Sequence, residues 1–269
     1  ARQIGKTEAI EHFATNNYKN VVEINFVLQK EYREIFADGY NVDTIIRNIT
    51  MINPMLKVEP GNTLLFFDEL QACPDCATSL KAFKLDGRYD VICSGSLMGI
   101  SYQEIESNSV GYKEDITMYP LDFEEFLWAK GYDAKQIEGI YEYMKETKPL
   151  PKAVLSVLQQ NFREYLILGG MPAVVWLFIS TGNFSGTLGL QKQLLMDYEE
   201  DITKYASGFD QGRILNVYRK IPVFLGKENK KFQISKVAHG ARSREYVGVN
   251  EWLENAGIVN ICYCLEHPE

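Results

Sequence analysis

The stretch Thr63-Leu64-Leu65-Phe66-Phe67-Asp68-Glu69 decides the fold of this chain. Its apolar residues form a continuous run that follows the turn-forming residues Pro60-Gly61-Asn62. A short apolar run bounded by turn residues predicts a strand that is buried on both faces of a parallel sheet. Such a strand delivers Asp68 to its carboxyl end, which is the edge at which ligands bind in open α/β sheets.

Two further segments predict strands of the same sheet. Residues 21–26 read Val-Val-Glu-Ile-Asn-Phe, and residues 89–93 read Tyr-Asp-Val-Ile-Cys. Helices are predicted before and between the strands, over residues 8–16, 30–52 and 77–84. Strands that alternate with helices predict an α/β core, with a parallel sheet covered by helices on both faces.

The chain begins with the tail of a phosphate-binding loop (Walker A). Gly5-Lys6-Thr7 matches the end of the pattern G-x-x-x-x-G-K-[ST]. The first Gly of that pattern would fall one position before Ala1. We therefore expect that the natural start of the chain is missing. In such a loop the backbone N–H groups and the helix dipole bind phosphate, the Lys reaches the outer phosphates and the Thr hydroxyl ligates Mg²⁺. The predicted nucleotide-binding residues are Gly5, Lys6, Thr7 and Glu8, and Thr7 is also a predicted metal ligand.

Acidic and hydroxyl side chains follow two of the predicted strands. Asp68 is expected to hold Mg²⁺, and Glu69 to polarise the attacking water (Walker B). Taken alone, Asp68-Glu69 would be better explained as a helix N-cap followed by a first-turn acid, but Gly5-Lys6-Thr7 upstream, with a helix and a strand between, favours the nucleotide site. Ser94 and Ser96 come after the third strand, where either could orient the water, although a glycine-centred turn is the alternative for each.

Composition narrows the class of protein. With 269 residues, 46% of them hydrophobic and 24% charged, the chain fits a soluble protein of two or more domains. No apolar run approaches the ~20 residues that span a membrane, so we expect no membrane partner. Five cysteines, an odd number, argue against a disulfide scaffold and predict a reducing, cytoplasmic location. The pairs Cys73/Cys76 and Cys262/Cys264 could in principle bind zinc, but their spacing and separation disfavour it.

The second half of the chain changes in character. After about Leu121 the pattern is mostly helical, and Lys148-Pro149-Leu150-Pro151 is a stiff connector. We predict an ATPase core over 1–130, a helical domain over 131–208 and a winged-helix-like domain over 209–269. The last of these is predicted from the order helix, turn, helix, strand over residues 234–237, 241–256 and 257–265.

A strongly basic segment lies in the predicted winged helix. Residues 211–244 carry nine Lys or Arg against one acid, a balance of +8, while the whole chain has a net charge of −8. This asymmetry predicts a surface that faces a polyanion such as DNA, with a solvated face or protein packing as the alternative. The residues expected to contact phosphates or bases are Arg213, Arg219, Lys220, Lys227, Lys230, Lys231, Lys236, Arg242 and Arg244, together with Ser243 and Asn250.

Several blocks resemble a bacterial and archaeal family of AAA+ ATPases in which a domain of unknown function follows the ATPase core. They are A-R-Q-I-G-K-T, L-L-F-F-D-E-L-Q, V-I-C-S-G-S and M-Y-P-L-D-F-E-E-F-L, then L-G-G-M-P, D-Y-E-E-D-I-T-K-Y and G-A-R-S-R-E-Y. The resemblance covers essentially the whole chain. It implies a P-loop fold, the site residues named above, and further sequence before Ala1 and after Glu269. It identifies no arginine finger.

These observations together predict a protein that binds ATP with Mg²⁺ and hydrolyses it slowly, with DNA associated through residues 211–244. The alternative is a nucleotide-dependent switch that does not hydrolyse ATP and acts on a protein partner or a second copy of the chain.

Overall fold

A computed structural model describes residues 3–95, 111–206, 211–228, 232–237 and 242–262. The chain divides into two compact units. One contains residues 1–4 and 118–201, and the other contains residues 5–117 and 202–269. Among the described residues, no helix combines the length and the apolar character needed to cross a membrane.

A three-stranded parallel sheet forms the centre of the second of these units. Its strands are β1 (Asn20–Asn25), β2 (Thr63–Asp68) and β3 (Asp90–Cys93), in the spatial order β1-β2-β3. All six residues of β2 are buried. Asn25 lies opposite Asp68, and Phe67 lies opposite Cys93. The α/β prediction is therefore confirmed for these strands, with boundaries within one residue of those expected.

One face of the sheet packs against three helical segments. They are a 3₁₀ helix (Lys30–Phe36), α2 (Val42–Ile52) and α3 (Pro74–Asp86). Phe67 of β2 lies at the centre of this core, with its ring centroid 5.7 Å from that of Phe26 and 6.3 Å from that of Phe83. Burial of such aromatic side chains is a major source of folding free energy, which fixes β2 firmly between its neighbours.

The other face carries the alternate residues of β2. Leu64 and Phe66 are fully buried but lie outside the first core, because successive side chains of a strand point to opposite faces. Helix α1 (Lys6–Asn17) lies against β1 and β2 and contributes the buried Ala14. A second short 3₁₀ helix (Leu70–Ala72) follows β2 directly.

The helical unit contains α4 (Phe123–Ala129), α5 (Ala134–Lys145), α6 (Lys152–Leu168), α7 (Pro172–Thr181) and most of α8 (Thr187–Tyr205). Capping boxes at Asp122 and Asp133 begin α4 and α5. The Gly-Gly turn after α6 brings the backbones at Gly170 and Leu121 together, with Leu121 N donating to Gly170 O at 2.7 Å. The predicted helical character of this region is thus present.

The winged-helix expectation is not confirmed. After α9 (Gln211–Leu225), residues 234–236 and 243–246 form short 3₁₀ helices, and α10 (Val249–Asn255) is only seven residues long. The expected helix over 241–256 is shortened because Gly248 adopts a left-handed conformation (φ 80°) and the α-helix begins after it. The described residues 257–262 contain no strand. These elements share a core that includes Ile214, Val217 and Leu253.

Candidate active site at the carboxyl edge of the sheet

Asp68 is the centre of a hydrogen-bond network to which all three strands contribute. Its side chain is 7% exposed. Its Oδ2 accepts a hydrogen bond from Asn25 Nδ2 at 2.9 Å, at the end of β1. Its Oδ1 accepts hydrogen bonds from the Glu69 backbone N at 3.0 Å and from Ser94 Oγ, just after β3. A nearly buried carboxylate needs such partners, and here they also fix its orientation.

Asn25 is held so that its amide nitrogen faces Asp68. The Asn25 Oδ1 accepts hydrogen bonds from the backbone N–H groups of Val27 and Leu28, both at 3.0 Å. The backbone N–H of Asn25 donates to Gln29 Oε1 at 2.9 Å. Because the oxygen is bound by the turn, the donor end of the amide is directed to the carboxylate. Sequence reasoning treated Asn25 only as a strand residue and missed this role.

Ser94 joins the end of β3 to the segment that follows β2. Its backbone N donates to Phe67 O at 2.9 Å, and its backbone O accepts from Leu70 N at 2.9 Å. Its side chain is 6% exposed and binds Asp68. The structure thus brings Ser94 and Asp68 together, as the shared edge predicted. Ser96, the other serine named from the sequence, lies outside the described residues.

Glu69 has an unusual backbone conformation. Its φ of 58° and ψ of 48° lie in the left-handed region, which non-glycine residues seldom adopt and which is concentrated at functional sites. Its carboxylate Oε2 accepts a hydrogen bond from Gln71 Nε2, within the 3₁₀ helix that follows. Glu69 is half-buried, beside the more deeply buried Asp68. The two acids therefore occupy different environments. The Asp68 carboxylate is fixed by the hydrogen-bond network, whereas the Glu69 carboxylate lies beside it and is half-buried.

The predicted phosphate loop leads into α1. Gly5 is the N-cap residue, with φ 81°, and its O accepts the backbone N–H of Ala9 at 3.0 Å. Lys6 and Thr7 are half-buried and Glu8 is exposed, in the first turn of the helix. The left-handed conformation at Gly5 favours glycine, which explains the residue type at that position.

The direction of α1 places this first turn at the same end of the sheet as Asp68. Only Tyr18 and Lys19 separate the end of α1 from the start of β1, so the helix must run back along the strand. Twelve helical residues span about 18 Å, close to the length of a six-residue strand. The N-terminus of α1 therefore faces the carboxyl edge of the strands.

The charges along α1 and β1 agree with this antiparallel arrangement. The pKa of Glu23, halfway along β1, is raised by desolvation of its carboxyl, then by the negative charges of Glu11 on α1 and of Asp68. The residue as a whole stays exposed, so desolvation is confined to part of the side chain. The middle of the helix thus lies near the middle of the strand, and Asp68 lies one step further along the same face.

The groups at this edge are oxygen donors suited to Mg²⁺. Mg²⁺ prefers carboxylate, hydroxyl and water oxygens, and in nucleotide sites it uses one or two protein carboxylates together with the phosphates. Asp68 supplies a carboxylate of fixed orientation, and Thr7 supplies a hydroxyl in the first turn of α1. The described residues contain no cluster of three or more His, Cys, Asp or Glu that could hold a metal unaided. The donor set therefore fits an ion shared with phosphate rather than a self-contained metal centre.

The cysteines near the sheet are buried and unreactive in character. Cys73 is the N-cap residue of α3, and burial raises the pKa of its thiol to about 11. Burial, and the neighbouring Cys93 thiol, likewise raise the pKa of Cys76. Low thiol pKa values mark redox-active and metal-binding cysteines. Cys73 and Cys76 are therefore core residues, and Cys264 of the second pair lies outside the described residues.

The basic residues of the C-terminal segment have different surroundings. Arg213 donates from Nη1 to Glu245 O at 2.9 Å, and its guanidinium lies 6.0 Å from the ring centroid of Tyr246, so it holds the local fold together. The Lys227 Nζ lies 4.6 Å from the ring centroid of Phe224. Lys230 and Lys231 lie outside the described residues. The remaining basic residues named from the sequence are exposed: Arg219, Lys220, Lys236, Arg242 and Arg244.

Comparison with known proteins found a family match in each half of the chain and a solved structure of similar fold. Residues 1–127 match a family model described as an AAA domain, and residues 159–269 match one described as a domain of unknown function (DUF8612). A solved structure of a Walker-type ATPase of Pyrococcus abyssi is similar in fold, with a TM-score of 0.52 and 15% sequence identity. The match covers 95% of this chain and 82% of that one. No curated protein sequence matches the chain.

Proposed function

We propose that this chain, which carries an AAA domain followed by a domain of unknown function, is a Mg²⁺-dependent ATPase. The observation that carries the proposal is the buried Asp68 carboxylate, oriented by Asn25 and Ser94 at the edge that the first turn of α1 faces. Phosphoryl transfer depends mainly on positioning and on charge stabilisation. An oriented carboxylate beside a helix N-terminus provides both.

Each residue at this edge has a distinct proposed role. Lys6 neutralises the outer phosphates, and the backbone N–H groups at the start of α1 bind phosphate oxygens. Thr7 and Asp68 would hold Mg²⁺, which offsets the charge of the phosphates when bound. Glu69 orients the attacking water and accepts its proton, because its half-buried carboxylate lies next to Asp68 and accepts from Gln71 rather than binding Asp68. Ser94 keeps Asp68 in position.

The proposed roles are separable by mutation in the full-length protein. Lys6→Ala should abolish ATP binding, since the charge that offsets the outer phosphates is lost. Glu69→Gln should keep ATP binding but lose turnover, because the amide cannot accept the proton of the attacking water. The matched controls are Lys84→Ala on α3 and Glu114→Gln, both exposed residues outside the site. Binding by a fluorescent ATP analogue and release of phosphate measure the two effects.

Either of two results would contradict these assignments. If Lys6→Ala binds ATP as the parent does, the first turn of α1 is not the phosphate site. If Glu69→Gln hydrolyses ATP normally, another group activates the water. Tight binding of ATP with no turnover in the parent would favour a nucleotide-dependent switch that acts on a protein partner or on a second copy of the chain.

We further propose that the work coupled to ATP involves DNA. The support is the exposure of Lys220, Lys236, Arg242 and Arg244, in a segment whose sequence balance is +8. Binding that rests on phosphate contacts weakens steeply with salt, by roughly one logarithmic unit of slope for each contact. Arg213 is not expected to contribute to DNA binding, because its guanidinium donates a hydrogen bond to the Glu245 carbonyl oxygen.

A charge-reversal series tests this proposal. The variant Lys220→Glu/Arg242→Glu/Arg244→Glu should bind duplex DNA more weakly, with a salt slope shallower by about two to three units. A control with Lys135, Lys145 and Lys152 of the helical unit changed to Glu carries the same change in net charge. Equal weakening by both triple variants would show that only net charge matters. Absence of DNA binding by the parent would favour the protein-partner switch.

A further inference from the structure

The carboxamide of Gln71 is bound at one end and unpaired at the other. Its Nε2 donates a hydrogen bond to Glu69 Oε2. Its Oε1 is buried and has no hydrogen-bond partner among the described residues. A buried acceptor without a partner costs free energy, and natural proteins seldom keep one without a reason. Among the described residues, the hydrogen bond to Glu69 is therefore what holds this carboxamide.

Gly95 leaves the space in which this carboxamide lies. A Cβ at position 95 would meet Gln71 Oε1 at 2.9 Å, which is closer than real contacts allow, and Leu70 Cβ at 3.5 Å. The Leu70 N to Ser94 O hydrogen bond, 2.9 Å long, fixes the two segments against each other. The Gln71 carboxamide thus lies between the turn that follows β2 and the backbone that follows β3.

The backbone conformation of Glu69 brings its side chain close to the Gln71 carboxamide. The left-handed conformation turns the chain sharply after β2, so that residue 71 comes back beside residue 69. An unrestrained glutamate samples many rotamers, and a single fixed donor removes most of that freedom. With Oε2 bound by Gln71, the carboxylate presents Oε1 in one direction. A catalytic base needs this kind of orienting partner.

We infer that Gln71 is a positioning residue that orients Glu69 as the base for ATP hydrolysis, and that Gly95 leaves the space its carboxamide occupies. The inference rests on the proposed function, since it assigns a partner to the proposed base. Gln71 does not touch the nucleotide in this account. Its removal should leave ATP affinity intact and lower the turnover number, by about 10- to 100-fold for a misoriented catalytic group.

A double-mutant cycle in the full-length protein tests the inference. Gln71→Ala removes the donor, and Gly95→Ala displaces it by the clash with Oε1; each should lower kcat while the dissociation constant for ATP stays unchanged. In Gln71→Ala/Gly95→Ala the clash no longer exists, so the double variant should lose no more than Gln71→Ala alone. Independent structural damage would instead multiply the two losses. Gln159→Ala on α6, an exposed glutamine, is the control for amide loss.

Three results would overturn the positioning role of Gln71. Unchanged or increased kcat in Gln71→Ala, with a parent that hydrolyses ATP, would overturn the positioning role and leave the proposed function standing. Multiplied losses in the double variant would also overturn it, because the two residues would then act separately. A parent that binds ATP without turnover would overturn the proposed ATPase function and the positioning role with it.

Discussion

Asn25 offers a sharp test of the network around Asp68, because two substitutions there should respond differently to pH. Asn25→Ala removes the donor to Asp68 and the acceptor for two backbone N–H groups on an exposed turn, which water can satisfy. The loss is mainly the hydrogen bond to a charged group, about 1.5–3 kcal/mol. We expect this cost to be similar at pH 7 and pH 5.

Asn25→Asp keeps the acceptor for the turn but replaces the donor with a carboxylate. The new oxygen would lie 2.9 Å from Asp68 Oδ2 in a nearly buried place. The folded variant can relieve the repulsion by taking up one proton, after which the new acid donates to Asp68 as the amide did. Holding that proton costs at most about 4 kcal/mol at pH 7 and about 1.4 kcal/mol at pH 5, for a carboxyl that ordinarily titrates near pH 4.

The sign of the pH dependence follows from proton uptake. The folded form of Asn25→Asp binds more protons than its unfolded form, so its stability rises as the pH falls from 7 to 5. The stability of Asn25→Asp relative to Asn25→Ala should therefore rise from pH 7 to pH 5, by up to about 2.7 kcal/mol. Hydrogen exchange of the β2 amides (residues 63–68), corrected for intrinsic rates, measures this opening free energy. Equal losses at both pH values would refute the proposed contact with Asp68.

Two further predictions concern packing and thiol chemistry. Gly170→Ala should destabilise the helical unit by more than about 3 kcal/mol, because its Cβ would lie 2.0 Å from the Leu121 carbonyl oxygen. In contrast, a Cβ at Gly139 within α5 would meet nothing within 4 Å, so Gly139→Ala should stabilise the unit by about 0.5–1 kcal/mol. Urea unfolding compares them, and equal effects would contradict the close approach. At pH 8, iodoacetamide should alkylate the exposed Cys262 before Cys73, whose pKa of about 11 leaves little thiolate. Mass spectrometry of the folded protein would show the reverse order if Cys73 were accessible.

The sheet and part of its edge could be predicted because their signals are local. The apolar run before Asp68 predicts a buried strand whatever else surrounds it, and β2 is completely buried. Parallel strands end at one edge, so Asp68 and Ser94 were expected at the same edge of the sheet, and the structure adds the hydrogen bond between them. The prediction needed only the order of elements and the residues that end them.

Asn25 and Gln71 could not be assigned in the same way, because their roles depend on tertiary geometry. The role of Asn25 follows from its register opposite Asp68, which no local pattern specifies. The contact of Gln71 with Glu69 depends on a left-handed residue that sequence rules assign to glycine or asparagine. A polar residue near the end of the predicted strand 21–26 was the one signal that could have identified Asn25.

The described residues 211–262 do not confirm the predicted winged helix. The order helix, turn, helix, strand suggested a winged helix, but the second helix begins only at Val249. Residues 243–246 form a 3₁₀ helix instead, and Gly248 sets the boundary. Helical residue types alone do not overcome a left-handed glycine inside the segment.

Steady-state ATP hydrolysis tests the central claim most directly. The full-length parent and Glu69→Gln are compared side by side, each with Mg²⁺ and with EDTA, after both are shown to bind ATP. We expect turnover by the parent only with Mg²⁺, and a loss of about 10²-fold or more in Glu69→Gln. Equal turnover by parent and variant would contradict the assignment of Glu69, and turnover that persists in EDTA would contradict the Mg²⁺ site at Asp68.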